Sequence, residues 1–182
     1  ASVSVSVSAV NDAPILASVS DVSFDEDGSG SISLSGSDID GDDLIYALDG
    51  GNQITFYHDD GMYTPNITFS APANFNGSEI FTIYLSDNNL TDEQTITVTV
   101  NAVNDAPTAN AASGETSEDQ SVVVTLSGSD IDGDNLSFSL DADATNGSVT
   151  LDGSLATYTP DANYNGDDSF SFSVSDGSES SS

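Results

Sequence analysis

The sequence has no lysine, arginine, cysteine or tryptophan, and only one histidine. Its 182 residues carry 31 acidic side chains, which gives a formal net charge of −31. Nucleic-acid binding needs cationic side chains against phosphate, and an anionic membrane surface would repel this chain. No apolar run approaches the roughly 20 residues that span a bilayer. We therefore expect no nucleic-acid partner and no membrane insertion.

The same absences argue against catalysis. With His58 alone and neither cysteine nor lysine, the usual pairs of nucleophile and general base are nearly impossible to build. Two carboxylates could hydrolyse a glycoside. However, the acidic residues of this chain lie in repeated polar loops and not in one unique cleft, so we expect a protein that is not an enzyme.

Two copies of one repeat make up most of the chain. The motif VNDAP occurs at Val10–Pro14 and at Val103–Pro107, and DIDGD occurs at 38–42 and at 130–134. The motifs NFNG and NYNG follow in the same order. A spacing of about 90 residues is typical of a small β-sandwich domain.

Alternating apolar and polar residues predict β-strands along both copies. Clear examples are SVSVSVSAV at the start of the chain, TITVTVNAV from Thr95, and SFSFSVS near the end. Low hydrophobicity with high net charge is also the signature of disorder. The alternation, together with 8 phenylalanines and 6 tyrosines, favours a folded chain. We predict an all-β protein of two sandwiches, each with about seven strands.

The ends of the chain suggest how the copies are divided. Residues 1–10 match Thr95–Val103, the strand that precedes the second VNDAP, and we assign them as the trailing strand of a preceding repeat. Residues 11–103 form the first repeat, and 104–182 form a second that lacks its last strand. The simplest interpretation is a piece of a longer array. The alternative is head-to-tail complementation, because an open sheet edge is a template for strand addition.

The DIDGD loops concentrate carboxylates on alternate residues. Calcium takes about six to eight oxygen ligands, whereas zinc prefers histidine and cysteine, so an oxygen-only set predicts Ca²⁺. An EF-hand would need glycine at the sixth position and glutamate at the twelfth, where Asp43 and Asp49 stand. An Asp–Gly cluster between strands is also a common turn. The matching Asn-Asp linkers and the absence of compensating cations in the chain favour the metal.

Taken together, these motifs resemble the cadherin-like (Ig-like Greek-key β-sandwich) tandem repeats of large bacterial calcium-dependent surface adhesins, over essentially the whole chain. Such repeats carry a glutamate on the first strand, an Asp-x-Asp loop, an aspartate after the sixth strand, and an Asn/Asp linker that ends in Ala-Pro. The matching residues here are Glu26 and Glu118; Asp38, Asp40, Asp130 and Asp132; Asp87 and Asp176; and Asn11, Asp12, Asn104 and Asp105.

The resemblance implies end-to-end domains with calcium ions at their junctions. One site would combine ligands from three parts of the chain. The first repeat would supply Glu26 with Asp25, and the linker would supply Asn104 and Asp105. The second repeat would supply Asp130, Asp132 and Asp176. The matching half-site, facing a preceding repeat, would hold Asn11, Asp12, Asp38, Asp40 and Asp87. The cadherin Asp-Arg-Glu motif is missing, and NGSE ending at Glu79 is only a loose match. Asp42 and Asp134 could serve a second ion or face solvent.

The function implied is a calcium-rigidified extracellular or cell-surface module, acting as a spacer in adhesion or in a surface filament. Its partners would be neighbouring repeats of the same chain, or identical subunits placed head to tail. Polysaccharide binding and self-association into a fibre are the alternatives. We expect the second DIDGD loop to be better filled with calcium than the first, because its partners Glu26, Asn104 and Asp105 lie in this chain.

Overall fold

The computed structural model describes residues 1–61 and 63–182, and the chain forms two compact units. Unit 1 is Ala1–Val103 and unit 2 is Asn104–Ser182. Both units are built from β-strands, which confirms the all-β prediction. Within the described ranges, no helix is long and apolar enough to cross a bilayer.

Unit 1 has two principal sheets. Its strands are β1 (Ile15–Leu16), β2 (Val22–Asp25), β3 (Ser29–Ser33), β4 (Gly36–Ser37), β5 (Ile45–Gly50), β6 (Thr55–His58), β7 (Asn66–Ser70), β8 (Gly77–Ser86) and β9 (Thr91–Asn101). One sheet has the order β2-β9-β8-β5 and the other β3-β7-β6, while β1 pairs with β4. The pairing of β2 with β9 is parallel, and the other pairings are antiparallel.

The core of unit 1 follows from the alternation along β8. Phe81, Ile83 and Leu85 are fully buried, whereas Ile80 on the other face is 66% exposed. The ring of Phe69 on β7 lies 5.2 Å from that of Phe81, centroid to centroid. The two sheets therefore pack face to face as a sandwich. Burial of each such side chain contributes roughly 1.5–3 kcal/mol to folding.

Unit 2 repeats this plan with eight strands. They are β10 (Thr108–Asn110), β11 (Val122–Thr125), β12 (Ser127–Ser129), β13 (Ser137–Ala142), β14 (Gly147–Asp152), β15 (Leu155–Pro160), β16 (Ser171–Ser175) and β17 (Ser180–Ser181). The sheet orders are β11-β15-β14 and β13-β16-β17, and β10 pairs with β12. Val124, Leu126, Val149 and Ala156 form its buried core.

The two units differ at the position of β9. In unit 1 this strand has eleven residues and lies between β2 and β8, whereas β17 has two residues. Residues 111–117, which correspond to the stretch containing β2, form no strand. In unit 1 the backbone of β2 pairs with β9. Among the described residues of unit 2, β17 pairs only with β16, and residues 111–117 have no strand partner.

Residues 1–10 likewise form no strand, although their alternation predicts one. They are exposed along their whole length. An isolated extended segment has no ladder partner for its N–H and C=O groups, and the apolar side chains of one face have no opposing sheet. Alternation is thus present in the sequence without the pairing that would make it a strand.

The alternation of β8 provides a matched pair of substitutions. We expect Ile83→Ala to lower the free energy of unfolding of unit 1 by about 2–5 kcal/mol, because it opens a cavity in the packed core. Ile80→Ala makes the same chemical change on the exposed face, and we expect a loss below about 1 kcal/mol. Denaturant unfolding measures both values, and equal losses would contradict the face assignment.

Candidate metal centres

In unit 2, hydrogen bonds gather the linker and two loops into one cluster. The side-chain amide of Asn104 donates to Asp176 Oδ2 at 2.9 Å. The backbone N–H of Asp105 donates to Asp132 Oδ2 at 2.8 Å. Carboxylate oxygens of Asp130, Asp132 and Asp134 lie within 4.8 Å of one another. The structure therefore brings together the five residues predicted for this unit: Asn104, Asp105, Asp130, Asp132 and Asp176.

Unit 1 contains the same arrangement at the equivalent residues. The amide of Asn11 donates to Asp87 Oδ2 at 2.7 Å, and the N–H of Asp12 donates to Asp40 Oδ2 at 2.8 Å. Carboxylate oxygens of Asp38, Asp40 and Asp42 lie within 4.8 Å of one another. Two separate folding units thus assemble the same oxygen-rich cluster from the same motifs, and the predicted half-site of unit 1 is also brought together.

Asp87 and Asp176 anchor each cluster to the sheet. Asp87 follows directly after β8 and is 3% exposed. Its Oδ1 accepts the N–H groups of Leu90 and Asn89 at 2.6 and 2.7 Å. The N–H of Leu90, the amide of Asn11 and the N–H of Asn89 lower the pKa of Asp87. The pKa of Asp176 is lowered in the same way, first by the N–H of Glu179 and then by the amide of Asn104. Both anchors are therefore held as carboxylates.

The first DIDGD loop is wrapped around one carboxylate oxygen. Asp38 Oδ1 accepts the N–H groups of Asp40, Gly41 and Asp42 at 2.8, 3.0 and 3.4 Å. Gly41 has a φ of 82°, which lies in the left-handed region where a glycine is favoured. In the second loop Gly133 has a φ of 81°, and the N–H of Asp134 donates to Asp130 Oδ1 at 3.2 Å. Glycine therefore allows the bend that turns the carboxylates inward.

Whether a cation fits can be judged from the carboxylate oxygens that accept no hydrogen bond. Asp38 Oδ2 and Asp130 Oδ2 are buried, and no donor reaches either of them within the described parts of the chain. A buried carboxylate oxygen without a partner is costly, because it loses hydration and gains nothing. Both atoms belong to the clusters just described, and the donor set around them consists of oxygens, as Ca²⁺ requires. The residues present therefore fit a calcium ion.

Asp42 shows the electrostatic strain of such a cluster. Burial raises the pKa of Asp42, and the neighbouring charges of Asp38 and Asp40 raise it further. Its oxygens, like those of Asp134 in the second loop, belong to the clusters defined above. Both residues are exposed, and a role for Asp42 and Asp134 as ligands stays a prediction.

Glu26 lies at the other end of unit 1 from the Asp38 cluster. Glu26 follows β2, and the end of β2 pairs with the end of β9, which lies beside the start of β8. Asp87, in contrast, follows the last residue of β8. The ten residues of β8 separate the two ends by about 30 Å. Glu26 is 6% exposed, and its Oε1 accepts the N–H of Val103 at 2.6 Å. Its Oε2 is buried and has no hydrogen-bond partner in the part of the chain described.

The remaining predicted ligands are placed differently. Asp25 Oδ1 accepts the amide of Asn101 at 3.0 Å and is exposed. Glu118, the counterpart of Glu26, is fully on the surface, in a turn. Glu26 differs in that it is held by the N–H of Val103, two residues after the end of β9.

Glu79 has a structural role that the sequence motif did not reveal. Its carboxylate accepts the N–H groups of Asn52, Gln53 and Ile54 at 2.7, 2.9 and 3.0 Å. Burial raises the pKa of Glu79, but these three bonds outweigh burial and lower it overall. In unit 2 the equivalent Asp168 accepts the N–H groups of Asn146 and Thr145. The shared position, two residues after the NG dipeptide, is the signal that could have identified both.

Comparison with known proteins agrees with this architecture. Two domains of human protocadherin-24 (EC1-2) superpose with a TM-score of 0.59 at 17% identity, covering 90% of this chain and 87% of that one. An endo-fucoidan hydrolase of glycoside hydrolase family 107 gives 0.40 at 18% identity. The match covers 92% of this chain but 27% of the hydrolase, so the chain spans only a small part of that enzyme. Domains 5–6 of the S-layer protein SbsC give 0.37 at 15% identity.

The fold and its repetition define a tandem pair of Ig-like domains. The chain belongs to the Bacterial Ig domain family, whose model matches residues 11–99 and 104–182. No curated protein matches the sequence. The predicted fold class is therefore confirmed, and the likeness to cadherin domains is confirmed as a likeness of fold.

The three N–H groups that Glu79 accepts form a clamp, and its contribution to stability can be tested as a function of pH. Glu79→Gln keeps an acceptor but removes the charge, and we expect the free energy of unfolding at pH 7 to fall by about 1–2 kcal/mol. Because the folded pKa is lowered, the contribution of Glu79 is complete above about pH 4.3, the ordinary glutamate value, and is lost as pH falls through the folded pKa. The difference between the two proteins should therefore shrink at low pH.

A suitable control is Glu93→Gln, which makes the same change at an exposed position of β9. We expect this control to stay within about 0.5 kcal/mol of the parent across the pH range. Urea unfolding at several pH values measures all three proteins. If Glu79→Gln and Glu93→Gln had the same pH dependence, the clamp would not contribute to stability.

Proposed function

We propose that each Asn-Asp linker and DIDGD loop binds Ca²⁺, and that the chain acts as a calcium-stiffened extracellular repeat module. The observation that carries this proposal is the duplicated cluster. Both units bring a linker, a loop and an anchored aspartate together, and each leaves a buried loop carboxylate oxygen that no donor of the described chain reaches. Duplication of such an unfavourable feature is hard to explain without a ligand.

The chemistry of the clusters favours calcium over other metals. In unit 2 the side chains of Asn104, Asp130, Asp132 and Asp176 offer only oxygens as metal ligands, and so do their equivalents in unit 1. Calcium tolerates irregular sets of six to eight oxygens, whereas magnesium demands a smaller and stricter octahedron. The chain also contains no lysine or arginine that could neutralise these carboxylates. Bound calcium supplies the missing positive charge.

The residues of the chain prepare the site before any ion arrives. Backbone N–H groups already hold Asp38 Oδ1 and Asp87 Oδ1, so their second oxygens are oriented. The N–H of Asp105 on Asp132 holds the linker against the loop in unit 2. Little ordering is then left for binding to produce. Binding to the folded state alone adds stability by mass action, about 2.7 kcal/mol at a hundredfold excess of free ion over the dissociation constant.

A role as a spacer follows from where the ligands lie in the chain. Asn104 and Asp105 belong to the linker itself, so a cation bound there restrains the segment that joins one repeat to the next. The cadherin resemblance implies that Glu26 adds a ligand from the preceding repeat. Extracellular modules commonly bind calcium at 10⁻⁴–10⁻³ M, a range that suits a protein outside the cell. The Ig-like fold is typically non-catalytic, which agrees with a structural role.

Calcium titration with isosteric variants tests the site. We expect Asp130→Asn and Asp132→Asn each to weaken calcium binding by unit 2 about tenfold or more, because each removes a charged ligand. The melting temperature of the parent chain should rise with calcium and fall again when a chelator is added. Isothermal titration calorimetry and thermal unfolding measure the two effects.

The matched control is Asp152→Asn. Asp152 ends β14 in the same unit, is exposed, and lies in the hairpin between β14 and β15. We expect this control to bind calcium as the parent does. Equal binding by the parent, Asp130→Asn and Asp132→Asn would overturn the proposal. So would a melting temperature that does not respond to calcium.

A further inference from the structure

The beginning of unit 1 runs beside its last strand in one constant register. β2 pairs with β9 in parallel, and Val22 lies opposite Val98. Hydrogen bonds before and after β2 join residues that are 75–77 positions apart in the chain, which is the same spacing. Residues 16–26, here called the entry segment, therefore follow β9 along its whole length.

Side chains of β9 hold the entry segment where that segment is not a strand. Residues 17–21 belong to no strand. Asp92 Oδ2 accepts the N–H of Leu16 at 2.8 Å. Gln94 binds both backbone groups of Val19, because its Oε1 accepts the N–H at 3.2 Å and its Nε2 donates to the C=O at 2.8 Å. These two side chains do the work of the missing ladder.

The contact continues to the end of β9 and beyond it. Asp21 Oδ1 accepts the N–H of Thr97 at 2.8 Å, just before the β2 ladder begins. After that ladder, the N–H of Glu26 donates to the C=O of Asn101 at 2.9 Å, and Glu26 Oε1 accepts the N–H of Val103. We call this series of hydrogen bonds and ladder pairs, from Asp92 to Val103, the shear contact.

Apolar side chains exclude water from the ladder part of the shear contact. Val22 and Phe24 of β2 are buried, and so are Val98 and Val100 of β9. Water can replace a strained backbone hydrogen bond only where it can reach the groups that bond. The ladder is therefore protected on the face that packs against the core.

The parallel direction of the two segments decides how tension acts on them. When the chain is pulled along its length, load enters unit 1 before Leu16 and leaves it after Val103. Because the segments are parallel, this load draws the entry segment towards its N-terminal end and β9 towards its C-terminal end. The two segments must slide past each other, so the bonds between them are loaded together and not one after another.

We propose that unit 1 bears tension along the chain, and that the shear contact is the element that resists it. Gln94 is its central side chain, since it fixes both backbone groups of Val19 where there is no ladder. Forced unfolding is governed by the rate of crossing the unfolding barrier, which is high when many contacts must break together. The proposal rests on the proposed function only in that a spacer is under load.

Two attachment points compare sliding with peeling in the full chain. The chain has no cysteine, so Ala102→Cys or Thr91→Cys gives a single thiol for one handle, and a tag before Ala1 holds the other. Both positions are exposed, and they lie at opposite ends of β9. A load between the tag and residue 102 slides the two segments. A load between the tag and residue 91, at the same end as Leu16, peels the entry segment away bond by bond.

Optical tweezers measure the unfolding force of unit 1 in both proteins. We expect the force for Ala102→Cys to be about twice that for Thr91→Cys or more, because sliding loads all the contacts at once. Equal forces, or a higher force for Thr91→Cys, would overturn the proposal. The measurement is made in chelator, so a failure of the calcium sites would leave its result unchanged.

Gln94→Ala tests the side-chain part of the shear contact. We expect it to raise the unfolding rate in the sliding geometry about tenfold, because two hydrogen bonds are lost from contacts that share the load. The rate in the peeling geometry should change less. The matched control is Thr95→Ala, one residue further along β9, where the side chain is exposed and takes no part in the shear contact.

The two geometries separate a load-bearing role of Gln94 from a merely structural one. A structural role would raise the unfolding rate equally in sliding and in peeling. A larger effect of Gln94→Ala in sliding, with Thr95→Ala unchanged from the parent, supports the proposal. Equal effects of Gln94→Ala in both geometries, or no effect in either, would count against it.

Discussion

The fold depends on one electrostatic constraint, which is that many carboxylates share a chain without lysine or arginine. Ion pairs with lysine or arginine are impossible, so the carboxylates that pack against the fold need other donors. Glu79, Asp38 and Asp87 are each held by backbone N–H groups. Such bonds stabilise the ionised form and lower the pKa of Glu79 and Asp87. What neutral donors cannot supply is net positive charge, and this is why the loop clusters point to a cation.

The duplication separates the essential features from the incidental ones. The amide of the linker asparagine, the N–H of the linker aspartate and the glycine bend of the loop occur in both units with almost the same distances. The two glutamates after the first strand do not behave alike, since Glu26 is buried and Glu118 is exposed. In unit 1, Glu26 accepts the N–H of Val103, two residues after the end of β9.

Much of the candidate site could be predicted because it is written in short motifs. VNDAP and DIDGD recur in the same order, and turn chemistry requires little besides aspartate and glycine at fixed spacing. The clamp by Glu79 and Asp168 could not be predicted in this way. The donors lie in a loop more than twenty residues earlier in the chain. They are backbone N–H groups, so the side chains of that loop give no signal of the interaction. Strand β6 was also hidden, since His58 and the acidic residues after it obscure the alternation.

The sequence by itself determined the all-β class, the two repeats and the residues of each carboxylate cluster, because alternation and turn-forming motifs act over a few neighbours. Tertiary structure alone decided which carboxylate oxygens are satisfied, and which are buried without a donor. It also decided that residues 2–10 stay exposed, while the apolar residues Ile96, Val98 and Val100 of the same pattern in β9 are buried. The physical reason is that a strand is stabilised by the sheet edge and core that it meets. A local pattern can specify the strand's two faces but cannot supply the partner.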